Sequence, residues 1–518
     1  MRPVLAGALF FTLAACSTDT PPTDGTSGTG GTHASGGTPS TSGSAGRAQG
    51  GNSATGGASG SGNATGGKGG AVSAGGSAGN ASGAGGTTAG TMSTGGTPAV
   101  GGSPPTGGTG QGGALTTGGV SGGGGMLTAG SGGEAGGGAV AGASGSAGGG
   151  ATHWVGTWAT GPQTTETDNL PPSPGLANNT LRQIIHVSIG GSQIRVRISN
   201  AYGKSAVTIS AVHIAKAMTG SAIDTASDKA LAFSGMPSVT IATGKEVWSD
   251  PLDFTLAPLS NYAVTIVFGT QSGDVTGHPG SRTTSYIASG NHVSDASITG
   301  STTDHWYFLT GLDVMAPTTS QAIAILGDSI TDGRGSTTNG NDRWPDQLAK
   351  RLQAEPTTQG VAVLNLGIGG NAVVSGGLGP TATARFDADI LGQSGVKWVI
   401  VLEGINDIGA GAAAGGLTSA FQQFIDKSHA KDLLIYGIPV LPFAGSDYDS
   451  SAHQTVATQV NDWIRAAGHF DAVLPLDAAV GSGSPPKLTA TYDSGDNLHL
   501  SPAGYQKMAD TIDLMLFK

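Results

Sequence analysis

Apolar runs at 322–326, 362–366, 398–402, 433–438 and 472–476 alternate with amphipathic stretches at 343–354, 382–392, 417–430, 452–467 and 502–516. An unbroken apolar run of strand length predicts a strand buried on both faces, whereas spacing near 3.6 predicts a helix with one apolar stripe. Strands and helices in alternation, joined by short connections, predict a mostly parallel sheet covered by helices on both sides. The part before Ala316-Pro317 reads differently. There, β-branched and aromatic residues gather at 181–188, 193–199, 207–214, 238–242, 262–268 and 306–314, separated by Gly-, Asn- and Asp-containing turns. Ile194-Arg195-Val196-Arg197-Ile198 alternates strictly, as a half-exposed strand does. Short strands at this spacing predict a β-sandwich, jelly-roll-like in character.

Composition changes the picture only at the front of the chain. Of 518 residues 93 are glycine, and they crowd into 17–150 with Ser, Thr and Ala. A segment with so few large apolar groups cannot offset its ordering entropy, so a disordered linker is expected there. Order is expected to begin near His153. The division that follows is 1–16 leader, 17–150 linker, 151–316 β-sandwich and 317–518 α/β domain.

The leader has its own signature. Arg2 precedes a short apolar stretch, and Leu13-Ala14-Ala15-Cys16 follows. The stretch is too short for a comfortable membrane span and has the plan of a secretory signal. Its end matches the bacterial lipobox pattern, in which the cysteine is acylated and becomes the new N-terminus. Cys16 is therefore the expected lipidation site, and the expected location is the bacterial cell envelope, lipid-anchored outside the cytoplasm, at an outer membrane if one is present, or else secreted. Cys16 is also the only cysteine, which excludes internal disulfides and cysteine-based zinc sites. A net charge of −11 and the lack of a dense basic run argue against nucleic acid as a partner. No His pair has metal-ligand spacing and no nucleotide-binding fingerprint joins a strand to a helix, so neither a metal nor a cofactor is expected.

The candidate chemistry lies at the ends of predicted strands. Gly327-Asp328-Ser329-Ile330 leaves the run at 322–326. Three further blocks follow in order: Asn365-Leu366-Gly367-Ile368-Gly369-Gly370-Asn371, Gly404-Ile405-Asn406-Asp407 and Asp496-Asn497-Leu498-His499. In a parallel sheet, residues just beyond the carboxyl ends of the strands converge on one rim. A serine hydroxyl is a poor nucleophile without a base, and His499 is the best base on offer. Asp496, three residues earlier, can fix the imidazole tautomer and stabilise its cation; Asp493 is a weaker rival.

These four blocks resemble those of the SGNH/GDSL hydrolase superfamily, over about 320–518, with Ile330 where leucine is usual. The upstream β-rich part and Trp344-Pro345-Asp346 resemble a two-domain secreted branch of it. The resemblance implies an SGNH-type α/β fold, Ser329, Asp496 and His499 as the catalytic set, and no cofactor. It further implies an oxyanion hole formed by the Ser329 and Gly370 N–H groups with the Asn406 amide. Gly369 competes with Gly370 for that role, and a side chain at 370 is expected to crowd the substrate carbonyl. Asp328, Asp332 and Asp407 are expected to be supporting groups.

The expected activity is carboxylic-ester hydrolysis through an acyl-serine, on short acyl esters by preference. A carbohydrate O-acetylesterase is the alternative within the same chemistry. A glycan-binding surface lipoprotein with an idle hydrolase domain is the alternative of another class. His278, Arg282 and Tyr286 are candidates to reach the substrate from the β-rich part, although residues of this kind more often decorate a loop. Trp154, Trp158 and Trp306 suit a sandwich core better than a sugar-stacking face.

Overall fold

The computed structural model describes residues 151–518. The expectations for the leader, for Cys16 and for the linker fall outside these residues. The parallel sheet has the strand order Val361–Gly367, Gln321–Gly327, Val396–Leu402, Leu434–Gly437, Ala472–Val473. Gln321–Gly327 pairs in parallel with both neighbours, so that Gly327 lies opposite Gly367 on one side and Leu402 on the other. The three strands that precede the first three motif blocks therefore end level with one another.

The two faces of this sheet feed different cores. Ala322, Ala324 and Leu326 point into one apolar cluster, and Ile323 and Ile325 into another. That split is the period of two expected of a strand. The second cluster is closed by Leu348 and Leu352 of the helix Trp344–Ala354 and by Tyr505 and Met508 of the helix Pro502–Thr511. The first cluster contains Phe421 and Phe424 of the helix Ala414–His429, and it continues without interruption into the upstream strands through Val155, Val196 and Val314.

Upstream, the sheets are antiparallel. One runs Thr152–Ala159, Leu309–Pro317, Gly191–Ser199, Glu246–Trp248; a second centres on Asn179–Val187, Ser260–Phe268 and Val207–Lys216. Together they are the β-rich layer pair that the alternation predicts. Polar contacts stitch them to the parallel sheet. The Val363 N–H donates to Ser188 Oγ at 3.1 Å, and Ser394 Oγ, just before the strand Val396–Leu402, meets Arg195 at 3.0 Å and donates to Asp313 at 2.7 Å.

The helix expected at 502–516 stops at Thr511 and a separate 3-10 turn follows at Leu514–Phe517, and three other expected elements differ. The run 306–314 is not one strand: Phe308 adopts a left-handed backbone with φ +60°, so Trp306–Tyr307 joins a small sheet with Thr276–His278 while Leu309–Pro317 joins the large one. The run 472–476 pairs only at Ala472–Val473, because Pro475 has no N–H for the ladder and caps the helix Leu476–Val480 instead. The helix at 382–392 is an α-turn, Ala382–Arg385, followed by a π-helical turn, Phe386–Ile390. Such widened turns are frequent at functional sites.

Candidate active site

Ser329 opens a four-residue helix, Ser329–Asp332, directly after its strand. Asp328 is the residue that caps this helix, accepting the Ile330 N–H at 2.9 Å. Burial pushes the Asp328 carboxyl up to about 7. The helix ends at Gly333 with φ +105°, a conformation that favours glycine. The short helix thus leaves the Ser329 side chain at the rim rather than in the core.

The loop before the helix Pro502–Thr511 brings the other partners. Ser329 Oγ lies 2.8 Å from His499 Nε2, and His499 Nδ1 lies 2.7 Å from Asp496 Oδ2. Asp496 Oδ1 accepts the N–H groups of Leu498 and His499, so one carboxylate folds its own loop and orients the ring. The rival Asp493 accepts the N–H groups of Gly495 and Asn497 and makes no bond to His499. Burial lowers the His499 pKa, an effect the Asp496 carboxylate only partly offsets; Arg334 and Arg282 push it in the same direction as burial. Burial opposes ionisation of Asp496, but its bonds to the His499 ring and to two backbone N–H groups outweigh that and hold it below the usual carboxylate range. The resting pair is therefore neutral imidazole beside carboxylate, with Nδ1–H given to Asp496 and Nε2 free to accept the Ser329 proton.

The N–H groups of Ser329, Gly369 and Gly370 find no hydrogen-bond acceptor among the described residues. Gly370 has φ +70°, and a Cβ there would come within 3.0 Å of Leu378. Its backbone conformation and a neighbouring leucine already favour glycine at this position. Gly369 instead faces the Asp332 carboxyl. Asn406 Nδ2 donates to the Asn371 carbonyl at 2.8 Å, which leaves the amide one further N–H. Asp407 accepts the N–H groups of Val373 and Val374, fixing the loop after Gly370 from below.

Two participants carried no sequence signal. Tyr448 donates its hydroxyl to Asn406 Oδ1 at 3.1 Å from a loop with no recognisable block. Arg385, fully buried, bonds to the carbonyls of Leu366 and Gly327 at 2.6 and 3.0 Å and to Asn371 Oδ1 at 2.9 Å. It ties the ends of two site-bearing strands together beside Asp389 and Glu403, whose carboxyls burial pushes up, that of Glu403 well above the usual carboxylate range. Its position in an amphipathic stretch gave no hint of this.

The upstream candidates separate. His278 is buried and reaches Asp332 rather than the rim, at 2.9 Å. Arg282 has a left-handed backbone, φ +52°, and its carbonyl accepts the Asn339 N–H. Tyr286 sits on the strand Ser285–Ser289, where burial raises its pKa. Trp158 and Trp306 are core residues, edge-to-face at 4.9 Å, while Arg195 covers the half-buried Trp154. No group of three or more His, Cys, Asp or Glu side chains suited to a metal occurs among the described residues.

A family model described as GDSL-like Lipase/Acylhydrolase matches residues 325–507. No curated protein matches the chain. Similar solved structures include a GDSL-like lipase from Bacteroides thetaiotaomicron, 18% identical over 38% of this chain and 88% of that one, TM-score 0.30. An acetyl xylan esterase from Geobacillus stearothermophilus is 20% identical over 36% and 91%, TM-score 0.30. The lipase/acylhydrolase from Enterococcus faecalis is 20% identical over 37% and 92%, TM-score 0.30. Residues 325–507, which contain the strand ends and all four motif blocks, form a GDSL-like lipase/acylhydrolase domain, and the chain is a hydrolase through that domain.

Proposed function

We propose that this chain is an extracytoplasmic serine carboxylic-ester hydrolase that works through an acyl-serine intermediate on short acyl esters. The observation that carries the reading is the continuous relay from Ser329 through His499 to Asp496. In the first half-reaction Ser329 Oγ attacks the ester carbonyl and its proton passes to His499 Nε2. The tetrahedral oxyanion accepts hydrogen bonds from the Ser329 and Gly370 N–H groups and from the spare Asn406 N–H. Collapse breaks the acyl–oxygen bond, and His499 returns the proton to the leaving alcohol. Water, deprotonated by the same imidazole, then attacks the acyl-serine and releases the acid and free Ser329.

The apolar rim supports a modest acyl group. Leu378 packs over Gly370, and Val374 lies on the same loop; both are part-exposed. The sequence around Cys16 supports a lipid-anchored chain at a bacterial envelope. The test is hydrolysis of p-nitrophenyl acetate, butyrate and palmitate by the full chain beside Ser329→Ala. Serine-dependent turnover that falls with acyl length is the expected result. Turnover that survives Ser329→Ala overturns the mechanism, and a preference for palmitate overturns the short-acyl assignment.

A further inference from the structure

Asp332 closes the helix that Ser329 opens, and its carboxyl is almost wholly buried. It meets His278, which arrives on the strand Thr276–His278 from the β-rich part. His278 Nδ1 lies 2.9 Å from the Gly161 carbonyl and Nε2 lies 2.9 Å from Asp332 Oδ1. A carbonyl only accepts, so Nδ1 donates to Gly161 and Nε2 is the ring atom that meets the carboxyl. Both side chains are almost wholly buried, and Trp306 stacks on the imidazole at 5.7 Å.

Asp332 is also wedged in place. A Cβ on Gly280 would fall 1.7 Å from Asp332 Oδ2, and one on Gly367 would fall 2.4 Å from the Asp332 backbone nitrogen. Gly369 faces the same carboxyl from the loop that carries Gly370. The Asp332 N–H donates to the Asp328 carbonyl, and the Gly333 N–H donates to that of Ser329. A shift of Asp332 is therefore passed through rigid backbone to Ser329 on one side and meets the Gly369–Gly370 loop on the other. The β-rich part grips this junction through His278 and Gly280.

We propose that His278 is a positioning residue for the hydrolysis: through Asp332 it fixes the helix that presents Ser329, which makes the β-rich part a component of the catalytic apparatus. The proposal rests on the ester-hydrolase reading and adds a residue outside the matched family segment. The buried imidazole–carboxyl pair is costly to break on one side only, because the remaining group is left without its partner.

The test uses the full chain. Rates on p-nitrophenyl acetate are normalised to serine reactive towards a fluorophosphonate probe. That probe forms an O–P bond at Ser329 and releases fluoride, while the Ser329 proton passes to His499. For His278→Ala, kcat per reactive serine is expected to fall by up to about 100-fold, the scale on which a misplacement of about 1 Å acts. KM is expected to stay within about twofold, since uniform substrate binding is untouched. His278→Gln, whose amide still donates to Asp332, is expected to recover part of the loss. Adding His278→Ala to Asp332→Ala is expected to cost nothing more. A kcat per reactive serine equal to that of the unaltered chain, or a loss carried by KM, overturns the proposal. If the unaltered chain hydrolyses no ester, the functional reading fails instead. The rate of Ser329 phosphonylation then decides the positioning role: slower labelling in His278→Ala upholds it and equal labelling ends it.

Discussion

The Tyr448 hydroxyl donates to Asn406 Oδ1, so the side chain proposed as an oxyanion donor is itself held by a phenol more than forty residues downstream in the chain. The Asn371 carbonyl holds one Nδ2 proton. With both ends fixed, the second N–H is aimed without paying reorganisation at the moment of reaction.

Tyr448→Phe keeps the ring on Gly409 and removes only this bond. A net hydrogen bond is worth about 1 kcal/mol, so kcat is expected to fall roughly fivefold with KM little changed. Asn406→Ala, by contrast, is expected to cost about 100- to 1000-fold in kcat. Equal effects of the two, measured on one ester, would show that Tyr448 does more than orient the amide.

Gly370→Ala is expected to lower kcat while the chain stays folded. The substitution forces an alanine into φ +70° beside Leu378. Left-handed strain of about 1–3 kcal/mol is tolerable for the fold but displaces the local N–H. The check is kcat beside the melting temperature. A large drop in melting temperature with kcat unchanged would contradict the oxyanion role.

The acid limb of kcat/KM is expected below the usual imidazole value of about 6.5. Burial and the nearby arginines lower the His499 pKa, so the neutral base persists to lower pH than an exposed histidine would. For stability the sign is the same: the unfolded chain binds the proton more readily, so this contribution is present above the unfolded value and is lost as pH falls. Arg334→Gln is expected to move the limb upward. A profile from pH 4 to 9 with its midpoint above 6.5 would falsify the neutral buried base.

Arg385→Met is expected to destabilise the chain by about 1–3 kcal/mol for each buried acceptor it leaves without a donor, Asn371 Oδ1 and Asp389 Oδ2 among them. The carbonyls of Gly327 and Leu366 lose a donor in the same step. Chemical denaturation measures the loss. A midpoint within error of the unaltered chain would mean that these acceptors lose their donor at little cost.

Much of this was legible because strand ends and motif blocks coincide. The run at 322–326 announces both its burial and the level at which Ser329 leaves the sheet, and the three-residue spacing of Asp496 and His499 is a purely local relation. Asp496 prevailed over Asp493 on hydrogen bonds that spacing alone does not distinguish. What stayed hidden depends on contacts distant in the chain. The break at Phe308 turns on one left-handed residue inside an otherwise ideal strand pattern. Tyr448 and Arg385 act through partners that no local period encodes. His278 stood out as a candidate, but its target was Asp332 rather than substrate, and only the packing of two sheets decides that.

The apolar cluster that runs from Val155 through Leu364 to Phe421 has no seam at the point where antiparallel pairing gives way to parallel. Cutting the chain there to swap one half for a homologous piece would strip Leu364 and Leu366 of their cover and leave a greasy face open to water. Recombination between relatives is therefore constrained to exchange both halves together. Heating should register the pair as a single calorimetric event rather than two.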